Sequence, residues 1–357
     1  MGVTIYVPPG TTVRYGGMPQ PMPGVGTLVG VPLPHLGKLA PFSADGYSKH
    51  TNMASDGRRV YVSGGDWEHS ATDGTWSAPV GDLSAWRQDV GVPVYPTLPA
   101  PHALQDGAGF VWVADAQRFL LWPGSYFAYE AADAPIRNYA RGSWWFDPAT
   151  NTYMQSLALF GTPGSTTGCP FGGVLDDSTM MIIAFGDGIV ARWDVQTGRR
   201  LSDVPVRLAR DPAAPAAYYR RTQPVRIGRS VYALGVRTDG ASVRKPLMIR
   251  YDLDAQAVTE CAPPPAGPKG PTPDIETRCA ASHGKLVWPR VYGPEGDIEG
   301  IAVYDPETDS WAVDEQVPSE GAYIANSLCS LPDGRVVMCG GVFGKRPTHI
   351  WTYEVAA

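Results

Sequence analysis

Ile301-Ala-Val-Tyr-Asp-Pro-Glu-Thr-Asp-Ser-Trp311 reads as a short strand, a tight turn and the start of a second strand. Ile301 and Val303 alternate with Ala302 and Tyr304, and β-branched and aromatic residues suit a pleated, half-buried surface. Asp305-Pro306-Glu307-Thr308 turns the chain: proline presets one turn dihedral, and the aspartate side chain can accept from the backbone ahead of it. Trp311, seven residues after Tyr304, is placed to pack back across the hairpin.

The phrase recurs. Trp145-Phe-Asp-Pro-Ala-Thr-Asn-Thr-Tyr153 keeps the aromatic, the aspartate, the threonine and the second aromatic. Arg192-Trp-Asp-Val-Gln-Thr-Gly-Arg-Arg200 and Arg250-Tyr-Asp-Leu-Asp-Ala-Gln-Ala-Val258 are worn copies, and Ile350-Trp-Thr-Tyr-Glu-Val355 is a truncated one. The aspartates at 147, 194, 252 and 305 step by 47, 58 and 53 residues. A second phrase keeps the same period: Ser55-Asp-Gly-Arg-Arg-Val-Tyr-Val-Ser-Gly-Gly65 returns as Leu331-Pro-Asp-Gly-Arg-Val-Val-Met-Cys-Gly-Gly341. Weaker versions follow Gln105-Asp-Gly107, Leu175-Asp-Asp177, Ile227-Gly228 and His283-Gly284. The turns at Asp56, Asp106, Asp176, Ile227, His283 and Asp333 step by 50, 70, 51, 56 and 50. Strands and turns with a period near fifty predict propeller blades, here six. Apolar runs such as Val231–Leu234 and Met180–Ala184 read as buried strands near the axis.

On the Gly64-Gly65 and Gly340-Gly341 pairs and the aromatic-Asp phrases, the chain resembles the kelch family of β-propellers. That resemblance implies a fold and no particular activity. The expected architecture is all-β: a six-bladed kelch-like β-propeller filling residues 1–357 as one domain. Residues 1–45 form the closure segment, with blades at about 46–99, 100–168, 169–215, 216–265, 266–318 and 319–357. The last blade is one strand short at Ile350–Val355. The N-terminal segment, with Gly26-Thr-Leu-Val-Gly-Val31 as its candidate strand, is therefore expected to join it and close the ring, removing exposed sheet edges.

The totals narrow the function. With 41 glycines and 35 prolines the chain suits many short strands rather than helices. A net charge of −6 without a Lys/Arg-rich run argues against nucleic acid and anionic membrane as partners. No 18-residue apolar stretch predicts a membrane span. Met1–Gly10 lacks a basic segment followed by an apolar one, so we expect cytoplasmic synthesis without a signal peptide. Five cysteines lack Cys-x-x-Cys spacing, which argues against a zinc ribbon or a dithiol redox site. Cys329 and Cys339 flank the Pro332-Asp333-Gly334 turn and would face each other only if the loop holds three residues; a cytoplasmic origin favours reduced buried thiols.

Two sets of residues are candidates for function. In unit two, extra residues fall at Arg118-Phe-Leu-Leu-Trp-Pro-Gly-Ser-Tyr-Phe-Ala-Tyr129. Arg118, Trp122, Tyr126, Phe127 and Tyr129 would anchor a partner if this is a protruding loop, since aromatics favour interface cores; alternatively it is an extended blade strand. The second set follows from the resemblance, which implies polar residues where each first strand enters the central channel. Those positions are His50, His102, Arg221, Arg278 and Asn326. They form a ligand site if they converge, or they bond the backbone between blades. No His-Glu-x-x-His, no histidine pair at metal spacing and no Gly-x-Ser-x-Gly occurs. The turn aspartates repeat once per unit, as structural residues do. We therefore expect a non-enzymatic binding and assembly module without cofactor or metal. It would dock onto protein partners in a larger complex such as a virion or phage tail. The alternative is an enzyme or sugar-sized ligand binder working at the central mouth.

Overall fold

A computed structural model of the chain describes residues 25–32, 52–63, 66–67, 70–71, 75–90, 109–122, 125–129, 135–139, 144–155, 174–176, 180–184, 189–197, 199–205, 224–239, 243–265, 278–292, 297–316, 327–339 and 349–356. Among them there is no α-helix, only one three-residue 3-10 turn at Ala114–Ala116. The strands form antiparallel four-stranded sheets arranged as a β-propeller. Five of these sheets each come from one stretch of chain, running from the innermost strand outward. They start at Asn52–Ser55, Gly109–Val113, Val174–Asp176, Val225–Ile227 and Ala280–Ser282. A further sheet is completed from the other end of the sequence. Its order is Gly26–Pro32, His349–Val355, Val336–Cys339, Ser327–Ser330, so the N-terminal strand is outermost, as expected of the closure segment.

The repeated phrase has one geometry. Phe146 pairs with Tyr153, Trp193 with Arg200, Tyr251 with Val258 and Tyr304 with Trp311, always seven residues on. Two features close the turn. The aspartate accepts from the backbone: Asp147 from Ala149 N, Asp194 from Gln196 N and Thr197 N, Asp252 from Asp254 N and Ala255 N, Asp305 from Glu307 N. Four residues after the aspartate, Asn151, Gln256 and Asp309 take left-handed backbone, with φ of 54, 51 and 48°. That conformation costs most side chains energy and reverses the chain in few residues. The aromatics pack against each other as their spacing predicts, with tilted rings, Tyr304 and Trp311 at 5.2 Å and Phe146 and Tyr153 at 5.0 Å between ring centres.

One sequence expectation needs correction, and of the two readings of Cys329 and Cys339 the structure supports the reduced one. In the second sheet the inner turn is not Asp106-Gly107, which lies outside the described residues. It is Ala114–Gln117, closed by Gln117 at φ 49° with its Nε2 donating to Ala114 O. Gly109–Val113 is thus the innermost strand, and Arg118–Trp122 is the second strand of the sheet rather than an insertion. Cys329 stands opposite Val337, Cys339 stands opposite Ser327, and Cys329 is a free buried thiol, so this pair forms no disulfide. The glycine pairs at 64–65 and 340–341 lie outside the described residues.

The core lies between sheets. Tyr61 of the first sheet meets Phe119 of the second at 4.7 Å. Leu286, Trp288, Ala302 and Tyr304 of the fifth pack with Tyr232, Leu234 and Met248 of the fourth. Val231–Leu234 is buried as expected. The closing sheet fits under two aromatics: at Gly30 a Cβ would come within 2.9 Å of the Trp351 ring, and at Gly26 within 2.3 Å of the Tyr353 Cζ and hydroxyl oxygen.

Candidate functional site

Each innermost strand runs from one face of the propeller to the other, so the connections segregate. The short turns gather on one face. At the opposite face the innermost strands begin and the second strands end. On this second face, Arg278 precedes the innermost strand of the fifth sheet and Asn52 opens that of the first. Arg278 Nη2 donates to Asn52 Oδ1 at 2.8 Å, although Ser327–Ser330 of the closing sheet lies between their two strands. Side chains from non-neighbouring sheets meet in this way only near the axis, so the contact marks the central mouth. Both residues are buried, Arg278 at 6% exposure and Asn52 at 0%.

The polar contacts continue outward. Asn52 Nδ2 donates to Ser63 O at 3.3 Å, the Ser63 and Thr75 hydroxyls are 3.1 Å apart, and Ser63 Oγ and Thr75 Oγ1 both bond the Tyr153 hydroxyl of the second sheet. Buried polar groups require such partners, and a satisfied network fixes one arrangement. Beside the mouth, burial pushes the Cys279 thiol well above its usual range, so it offers no thiolate nucleophile. Among the described residues no cluster of three His, Cys, Asp or Glu could hold a metal ion.

The same face carries β-ribbons that outrun the blades. In the fourth sheet, Ser230–Asp239 pairs with Val243–Asp252 over ten positions, whereas the flanking strands pair only as far as Tyr232 and Met248. In the fifth, Lys285–Tyr292 and Asp297–Asp305 extend likewise, with a bulge between Pro289 and Val291. At its base Arg290 is buried, its Nη1 4.0 Å from Glu315 Oε1. The second sheet adds a separate hairpin, Ser125–Tyr129 paired with Pro135–Tyr139, which lies against Ser70–Ala71 of a smaller hairpin from the first sheet.

The candidate residues divide accordingly. Tyr126, Phe127 and Tyr129 fall on the ribbon strand, opposite Asn138, Arg137 and Pro135. Trp122 ends the blade strand on the same face. Arg118 does not join them: it begins that strand on the turn face, where its Nε donates to Asp147 Oδ2 at 3.2 Å. Of the mouth set, Arg278 is in place; His50, His102, Arg221 and Asn326 lie outside the described residues. Asn52 was missed, although a polar residue opening the apolar run 53–54 was a usable signal. The turn aspartates are structural as read. Bonds from Thr197 hold Asp194 below the ordinary aspartate range, and the Glu307 backbone does the same for Asp305.

Fold and mouth together define the class: a β-propeller with one face of turns and one of ribbons around a polar axis. No protein-family model matches the sequence, and no curated protein matches it. No helix among the described residues is long and apolar enough to cross a membrane, which leaves strand-built membrane barrels unaddressed.

Proposed function

We propose that this chain is a non-enzymatic assembly module: a rigid, six-bladed, kelch-like propeller that docks into a larger protein complex, with a virion or phage-tail particle as the setting. Support for the closed six-bladed ring comes from the innermost strands. Ser327–Ser330 neighbours Asn52–Ser55, which neighbours Gly109–Val113, and the series continues through Val174–Asp176, Val225–Ile227 and Ala280–Ser282 back to Ser327–Ser330. The observation that carries the docking role is the ribbon face, above all the hairpin 125–139 that stands apart from its blade with Tyr126, Phe127 and Tyr129 on one strand. Such a hairpin is marginal alone, and aromatic residues are what partner interfaces favour. The test replaces residues 125–139 by a two-residue turn and compares native mass spectra of material purified from its source. The expected result is loss of a bound partner with the melting temperature unchanged; an identical partner profile overturns the docking role.

A second reading has its own observation, the buried Arg278–Asn52 pair at the axis. In that reading the mouth takes a small polar ligand, a sugar by class. Lost ligand binding in Arg278→Ala at unchanged melting temperature favours it; lost stability alone assigns the pair to joining blades.

A further inference from the structure

Among the described residues no strand pairs with the outer edge of Gly26–Pro32, and the chemistry of that edge can be read group by group. Ala356 N donates to Val25 O at 3.0 Å. In an antiparallel ladder, bonded and non-bonded pairs alternate. Thr27, Val29 and Val31 therefore direct their backbone groups at His349–Val355, and Gly26, Leu28, Gly30 and Pro32 direct theirs outward. Two contacts agree with this parity. Gln316 Nε2 donates to Gly26 O from the fifth sheet at 3.1 Å, and Val355 N, opposite Gly26, turns away from this strand to bond Ser282 Oγ at 3.1 Å.

The geometry points to pairing of this edge with the same edge of a second copy of the chain, antiparallel about a two-fold axis through Val29. In that register Leu28 faces the second copy's Gly30, and each exchanges both backbone bonds with the other. Gly26 faces Pro32, whose missing N–H is matched by a Gly26 carbonyl already engaged by Gln316. Shifting the register by one residue flips the side chains. Shifting the strand by two residues, in either direction, sets Pro32 against Leu28 or brings Gly30 N against the occupied Gly26 carbonyl.

Charge argues for self-association at this edge. A two-fold pair sets identical residues against each other, and like charges placed so repel. Gly26–Pro32 has no ionisable residue over seven positions. Four of the other outermost strands carry at least one charged residue: Arg87–Val90, Arg200–Pro205, Ala257–Cys261 and Ser310–Asp314. The remaining uncharged one, Thr152–Gln155, is four residues long. A long uncharged edge is what chains use to pair with one another. Val29, at the proposed axis, is 49% exposed.

The test uses the purified chain alone and is independent of the ribbon hairpin. Sedimentation is expected to give twice the 38.3 kDa chain mass. Val29→Lys puts two ammonium groups across a pair whose Cα atoms are about 4.5 Å apart, and is expected to give single chains with an unchanged melting temperature. Mixing Val29→Lys with Val29→Glu is expected to restore the doubled mass. Hydrogen exchange should show Leu28 and Gly30 amides protected in the wild type and fast in Val29→Lys. Single chains for the wild type, or an oligomer that Val29→Lys leaves intact, overturn the proposal.

Discussion

The fifth sheet and the closing sheet are both four-stranded and antiparallel, yet they are specified in different ways. In the fifth, every strand follows the last along the chain, and the turn that reverses the outer pair is written locally: Asp305 accepts from Glu307 N, Asp309 takes left-handed backbone, and Tyr304 packs against Trp311. Asp309 also accepts from the Tyr304 hydroxyl and Ala262 N, so one turn residue fixes both its hairpin and its neighbour. The closing sheet joins residues more than three hundred positions apart. It has glycines under aromatics and a polar latch: Tyr353 OH and Gln316 Nε2 both donate to Asp314 Oδ2 of the fifth sheet. Local turns bear little loop-closure entropy; a long-range strand must recover it through packing and hydrogen bonds. The closing sheet should therefore be the first to open and the one whose defects report locally.

Four substitutions would break or sharpen that contrast. The largest effect is expected for Trp288→Ala, which empties a 1%-exposed site in the fifth sheet and should cost about 3–5 kcal/mol by chemical denaturation. Next is Gly30→Val, where the new side chain meets the Trp351 ring. A cost of about 1–3 kcal/mol is expected, with fast hydrogen exchange confined to residues 25–32 and 349–356. Exchange spread over all sheets would contradict the contrast.

The third variant concerns pH. Asp194 and Asp305 are held below their ordinary values by backbone donors, so the folded state binds fewer protons than the unfolded one. Their contribution is complete above the ordinary aspartate pKa of about 3.9 and is lost as pH falls through the folded values. Asp305→Asn should flatten the acid limb of a stability-versus-pH curve and leave its neutral plateau shape unchanged. The smallest effect has the opposite sign: Gln256→Gly, at φ 51° on an exposed turn, should stabilise by about 0.5–1 kcal/mol, because glycine adopts that backbone without a Cβ penalty.

The sequence revealed whatever short-range physics fixes. The seven-residue spacing of Tyr304 and Trp311 identified the outer hairpins because one turn geometry underlies them all. The short last blade, with Gly26–Val31 as candidate strand, foretold the closure. The second sheet resisted because its inner turn, Ala114–Gln117, contains neither glycine nor proline and is held by the Gln117 side chain. The nearby Asp106-Gly107 looks more like a turn than the turn does. The mouth was half legible. Arg278 was found by its offset from an innermost strand, but its partner Asn52 is 226 positions away and no periodicity links them.

Val25 and Ala356 lie at the same end of the closing ladder, hydrogen-bonded to each other. A force applied between these two residues would load the pairs one after another, as a zipper is loaded, instead of shearing the whole ladder together. The seam should consequently part under a tension lower than the one needed to shear a ladder of the same length.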